Sequence, residues 1–216
     1  MPKVFETEQG SDDWFAMRRG VITATRAQAL LEKGKRGGFL KSRETAIAEI
    51  AMERLNHAGK PQATGAALRR GHEFEQEAID AYIFQTGKMV EPCGFALHSE
   101  HDVFGCSPDG LVGKDGMVQI KVPTSVLRHV EYLETGSHVT EYQHQLFHEM
   151  YVMDRLWTDV VSYNPESPPM LQLAIVRIER PKTWNEHQTA LMAADNAIED
   201  MVERLGNIQS EKQKAA

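Results

Sequence analysis

The feature that most constrains the fold is a change of hydrophobic period at Gly87. Before it, apolar residues recur at helical spacing: Trp14 with Met17, then Ala27, Leu30 and Leu31, then Ile47, Ile50, Ala51 and Leu55. After it come MVEPCGFALHS, DVFGCS and GLVGKDGMVQIKV, which are short, apolar and broken by turn residues, as strands are. Amphipathic helices followed by a strand cluster must bury their apolar faces against each other.

The limits of the elements follow from local signals. Ser11 and Thr23 are placed to cap the first two helices, and GKRGG (34–38) ends the second. Longer helices are expected over roughly 40–57 and 65–86, and again over 124–135 and 139–153. Two more strands, WTDVVSYN and MLQLAIVRI, precede a last amphipathic helix over about 182–205. SEKQKAA reads as a frayed end. The expectation is one α/β domain over 1–216, with a mixed sheet flanked by helices and a flexible tail at 207–216.

Composition narrows the class. The chain has 216 residues, 41% hydrophobic and 25% charged, enough for a core of ordinary size. No run approaches the ~20 apolar residues of a membrane helix. MPKVFETEQGSDDW lacks the apolar core of a signal peptide, so the cytoplasm is the expected compartment and no membrane is an expected partner. A net charge of −7 argues against coating nucleic acid nonspecifically. It allows an enzyme that gathers its positive charge in one channel. Cys93 and Cys106 lie in apolar contexts and read as small buried hydrophobes; no histidine motif accompanies Cys106 to make it a nucleophile.

The stretch SPDGLVGKDGMVQIKVPT (107–124) carries the chemistry. A two-residue turn at Asp115-Gly116 would pair Val112 with Gln119 and Gly110 with Lys121. Gln119 and Lys121 then share a face, and Asp109 would need a kink at Gly110 to join them. Phosphodiester cleavage wants a hard cation held by oxygen ligands. Asp109 and the Ile120 carbonyl supply two such oxygens, and Lys121 a charge to orient water. The same residues also read as a plain hairpin, because Ser-Pro-Asp-Gly is a strong turn sequence by itself.

A wider resemblance bears on that choice. Pro108-Asp109 followed by Gln119-Ile120-Lys121 resembles the PD-(D/E)xK nuclease core. The motifs WFAMRRGVITAT (14–25), RGHEFE (70–75), CSPDGL (106–111), IKVPT (120–124) and YQHQ (142–145) occur in the order of the phage lambda exonuclease and bacterial alkaline exonuclease family, which includes the YqaJ-like viral recombinases. The resemblance implies a restriction-endonuclease-like fold. It implies a Mg2+-dependent 5′→3′ exodeoxyribonuclease, with Mn2+ able to substitute, that digests one strand of linear duplex DNA and leaves 3′ single strands for recombination. It further implies a homotrimeric ring acting at double-stranded ends beside a single-strand annealing recombinase.

Residue by residue, the resemblance makes Asp109 the central metal ligand and Lys121 the catalytic lysine. The Ile120 carbonyl is a further metal ligand, and position 119 a second acid that is Gln119 here. Glu75 becomes the additional acid near the metal, chosen from Glu73, Glu75 and Glu77 by the family pattern alone. Gln145 and Tyr142 become residues of a later helix that lean on the site. Arg18 and Thr25 become the holders of the DNA 5′ phosphate, a role that suits a guanidinium fork and a hydroxyl at a helix start. Arg19 is the adjacent competitor for the first. Basic KGKR (33–36) is a candidate contact to the duplex backbone.

Of His72, His129, His144 and His148, the last two stand four apart on an expected helix. Glu149 follows rather than separating them, so this is no metalloprotease motif, and core or surface roles are expected. Gln119 keeps a carbonyl oxygen but loses the negative charge of a glutamate and gains an NH2 donor. A hard dication should bind less well there. The expectation is that position 119 is naturally glutamate and that Gln119 impairs activity, a naturally divergent site being the alternative. Two other readings are a DNA-end-binding module without turnover and a related endonuclease.

Overall fold

The computed structural model describes residues 1–56 and 66–215. The expected helix limits at 57 and 65 and the side chain of His72 fall outside what is described.

A short strand β1 (Lys3–Phe5) leads into helices α1 (Asp12–Met17), α2 (Ala24–Leu31), α3 (Lys41–Asn56) and α4 (Ala66–Thr86). Strands β2 (Phe95–Leu97), β3 (Gly105–Cys106), β4 (Gly110–Val112) and β5 (Gly116–Lys121) follow. Helix α5 (Val126–Glu134), a 3-10 segment (Ser137–Tyr142) and α6 (Gln143–Met153) lead to β6 (Trp157–Tyr163), β7 (Leu173–Glu179) and the long α7 (Trp184–Ala215). The last helix runs well past the limit expected near 205, so residues 207–215 are helical rather than a frayed coil.

The strands form two sheets rather than one. A three-stranded antiparallel sheet has the order β1-β2-β3, and a four-stranded mixed sheet the order β4-β5-β6-β7. In the second, β5 and β6 pair in parallel, Gln119 opposite Val160, and the other pairs are antiparallel. A parallel pair cannot be closed by a tight turn, so α5 and α6 make the crossover. Central β5 is buried over Gly116–Ile120, on both faces, which explains why its sequence barely alternates.

Helices cover both sides. Ile22, Leu30, Ile50, Met117, Met150, Leu191 and Ile198 join α2, α3, α6 and α7 in the main core. On α4, Ala78 and Tyr82 pack with Val118, Ile120 and Val161. The Tyr82 hydroxyl donates to Asp159 on β6 at 2.7 Å, and Arg177 clamps the same carboxylate with two bonds of 2.7 Å. The Tyr82 bond fixes α4 against the sheet, and Arg177, itself exposed, holds the buried carboxylate in place. Glu75, Ala78 and Tyr82 recur at helical spacing, so the pinned face of α4 is also the face that bears Glu75.

Candidate nuclease site

The β4–β5 hairpin does not turn where the sequence suggested. Gly110 pairs with Val118, Leu111 with Met117 and Val112 with Gly116. The turn is Gly113-Lys114-Asp115, and Gly113 takes the left-handed conformation (φ 58°) that only glycine adopts readily. Trp157 shows why Gly116 belongs to the strand: an added Cβ would stand 2.1 Å from its indole ring. The shifted register removes the need for a kink. One step beyond the Gly110–Val118 pair, Asp109 faces Gln119 directly, and facing residues share a side of the sheet. The structure brings the two together on that side, with Lys121 two residues along β5.

The contacts are direct. Asp109 Oδ2 accepts from the Ile120 backbone N–H at 2.7 Å and from the Gln119 carboxamide. Gln119 is 5% exposed, and its Oε1 has no hydrogen-bond partner among the described residues. The Lys121 ammonium lies 4.5 Å from the centroid of the Tyr142 ring, a cation–π contact that steadies a long side chain.

These residues line a cleft of about 930 Å³, shared with Glu75, Arg18, Thr25, Gln145 and Glu149. Glu75 is half-buried, whereas Glu73 and Glu77 are exposed. Burial, and then the nearby Asp109 charge, push the Glu75 carboxyl up to about 7. Arg18 lies with its guanidinium 3.9 Å above the Trp14 ring, and Trp14 Nε1 donates to Ser107 Oγ at 2.9 Å. One indole thus ties Arg18 to the turn that carries Asp109. Burial, and next the charge of Arg26, lower the Arg18 pKa to about 10, which still leaves it cationic at neutral pH. Arg19 and Thr25 are exposed, and Thr25 stands in the first turn of α2. The KGKR segment is away from the cleft lining.

Two residues of the site carried no signal of their own. Glu149 on α6 is 2% exposed and accepts from Gln145 Nε2 at 3.0 Å. Burial pushes its carboxyl up to about 8, the Gln145 bond and the charges of Lys121 and Arg18 opposing and that of Asp109 adding. Gln28 Oε1 accepts from the backbone N–H groups of His144 and Gln145 at 3.0 and 3.2 Å, so α2 caps α6. A glutamate one position after His148 gave only negative evidence in the sequence, and a cap contributed from 116 residues away is invisible to local pattern.

His129 and His148 hold the fold together. His129 bridges Ser162 Oγ and the Leu171 carbonyl, and buried His148 bonds the Gly105 carbonyl. Both cysteines are free and buried, and burial raises both thiols, which makes them poor nucleophiles. Among the described residues no three His, Cys, Asp or Glu side chains make a ready metal cage, and no helix is long and apolar enough to cross a membrane. The oxygens that meet in the cleft come instead from a mixed set, the Asp109 carboxylate and the Gln119 carboxamide. That set, with the orphaned Gln119 Oε1 buried in it, fits a hard dication.

Residues 13–159 match the YqaJ-like viral recombinase domain. The chain belongs to that family. It superposes on an alkaline exonuclease, LHK-Exo, from Laribacter hongkongensis with a TM-score of 0.83 at 34% identity, covering 93% of this chain and 99% of that one. The same protein in complex with dAMP matches equally well. A phage-related exonuclease from Haemophilus somnus 129PT shares the fold, with a TM-score of 0.68 at 13% identity over 86% of this chain and 96% of that one. No curated protein matches the sequence.

Proposed function

We propose that the protein is a Mg2+-dependent exodeoxyribonuclease that digests one strand of linear duplex DNA from its 5′ end and leaves 3′ single strands for recombination. The observation that carries this reading is the meeting of Asp109, Gln119, the Ile120 main chain and Lys121 in one cleft that also holds Arg18. Two kinds of support come from relatives. The similar Laribacter protein is an alkaline exonuclease, and its complex with dAMP holds the kind of nucleotide such an enzyme releases.

Asp109, Gln119 through Oε1, and the Ile120 carbonyl would hold Mg2+, with Mn2+ as a substitute and Glu75 close by. Bound there, the cation supplies Lewis-acid polarisation of the phosphate and a more acidic water. Lys121, held over Tyr142, orients the water and balances the charge that develops on the phosphoryl oxygens. Gln145 keeps α6 in register with the cleft through its bond to Glu149. Arg18, braced on Trp14, receives the 5′ phosphate with the hydroxyl of Thr25 beside it. Gln119 impairs turnover, because its NH2 donates to Asp109 and its carbonyl brings no charge to a cation. A homotrimeric ring threaded by duplex, working with a single-strand annealing recombinase, completes the proposal.

The test is digestion of 5′-labelled linear duplex with Mg2+, Mn2+ or EDTA, with closed circular DNA as control. Loss of the label as short products, with Mg2+ or Mn2+ but not in EDTA, with circles intact, is expected. Cleavage of circles would instead indicate an endonuclease. The bond between Gln119 and Asp109 favours a second reading, an end-binding module without turnover. Gln119→Glu decides between them: rising activity supports an impaired enzyme, and unchanged inactivity with intact end binding supports the module. Sedimentation tests the trimer.

A further inference from the structure

Position 119 is a carboxamide, yet the cleft is not short of carboxylates. Glu149 lines it from α6. It is 2% exposed and, among the described residues, its one hydrogen bond comes from Gln145. Burying an acid with a single neutral donor is unfavourable by several kcal/mol if it is ionised. No ion pair forms with Arg18 or Lys121, although both charges are felt at Glu149. A purely packing role would be filled better by an apolar residue, as at its neighbours Leu146 and Met150, which are fully buried.

A second observation points to what is missing. Gln119 Oε1 is buried in the same cleft without a partner. Glu149, with one neutral donor, and Gln119 Oε1, with none among the described residues, therefore line the same cleft as under-satisfied acceptors. A cation is the group that satisfies such a surplus of acceptors.

We propose that Glu149 supplies the second carboxylate of the divalent-cation site, so that the acid absent from 119 on the strand is contributed by 149 on the crossover helix. The proposal rests on the nuclease reading above. It makes the pair 119 and 149 a relocated charge, Gln on the strand with Glu on the helix. Gln145 becomes its positioning residue, holding Oε1 while Gln28 holds the helix end.

The experiment is Mn2+ titration of the full chain without DNA, following the free-ion signal by electron paramagnetic resonance, so that no turnover is needed. Glu149→Gln, an isosteric change, is expected to weaken Mn2+ binding ~10- to 100-fold. The double variant Glu149→Gln with Gln119→Glu is expected to recover the parent affinity to within roughly threefold, because the charge count is restored. Glu149→Asp keeps the charge and should retain most of the binding, which guards against a folding artefact in the amide. Equal Mn2+ affinity in the parent and Glu149→Gln would overturn the proposal. So would a double variant that stays weak. A parent that binds no Mn2+ while Gln119→Glu does would remove Glu149 from the site and leave the nuclease reading standing. Absence of binding in every variant, with no cleavage, would remove both.

Discussion

Gln119→Glu should make the metal-free protein less stable, by an amount set by the contact the amide now makes. Its NH2 donates to Asp109 Oδ2, so a glutamate in the same place sets two carboxylates face to face. At a separation of ~3 Å and an effective dielectric of ~20, the repulsion is about 5–6 kcal/mol. The protein need not bear all of it, since one acid can take up a proton and donate to the other. Holding a glutamate of ordinary pKa, ~4.3, protonated at pH 7 costs about 3.7 kcal/mol, which caps the penalty. At pH 5 the same cap is about 1 kcal/mol. For a chain of this size, each kcal/mol moves Tm by roughly 2–4 °C, so a fall of about 10 °C at pH 7 in EDTA is expected, shrinking to a few degrees at pH 5. Saturating Mg2+ at ~100 times Kd returns about 2.7 kcal/mol. Scanning calorimetry of both proteins at two pH values, with EDTA and with Mg2+, measures all of this. A Tm in EDTA within ~2 °C of the parent at pH 7, or a gap that does not depend on pH, would refute the argument that the amide stands where a positive charge is needed.

Other expectations follow from the same geometry. Lys121→Ala should lower kcat ~10²- to 10³-fold while Mn2+ binding persists, read by single-turnover cleavage beside metal titration. Arg18→Ala should abolish the preference for 5′-phosphorylated over 5′-hydroxyl ends, a loss of roughly 10- to 100-fold in kcat/KM on phosphorylated ends only. His148 and His187 are buried, and burial lowers their pKa to about 3 and about 4. Both stay neutral in the fold while the unfolded chain takes up protons, so stability is full above ~6.5 and falls as pH drops below it, by ~1.4 kcal/mol per unit for each histidine. Urea midpoints between pH 7 and 5 would show the fall, and His148→Gln should flatten it. Gly116→Ala drives a Cβ into the Trp157 ring and should cost about 2–3 kcal/mol, visible as a lower urea midpoint with an unchanged slope.

The sequence made some of this legible and hid the rest for identifiable reasons. Helix spacing placed the start of α3 and the end of α4, and the apolar run placed β5, close to where they are observed, because one buried stripe dominates each. The hairpin register was misjudged because Asp-Gly at 115–116 is the stronger local turn signal, while Gly113 and the stacking of Trp157 over Gly116 decide the outcome. That error alone produced the expected kink at Gly110. The split into two sheets was hidden because β1 and β3 are two or three residues long and carry no periodicity. Asp109, Gln119 and Lys121 were readable as a motif. Glu149 and Gln28 were not, since each acquires its role only when α6 lies across α2 and the sheet.

The bridge from Ser107 through Trp14 to Arg18 gives the molecule its own optical gauge. A guanidinium stacked on an indole face alters the emission of that ring, and the indole N–H is tethered to the loop beside Asp109. Anything that draws Arg18 toward an incoming phosphate must uncover Trp14. The arrival of a DNA terminus would therefore be registered in the fluorescence of one tryptophan before any bond is cut.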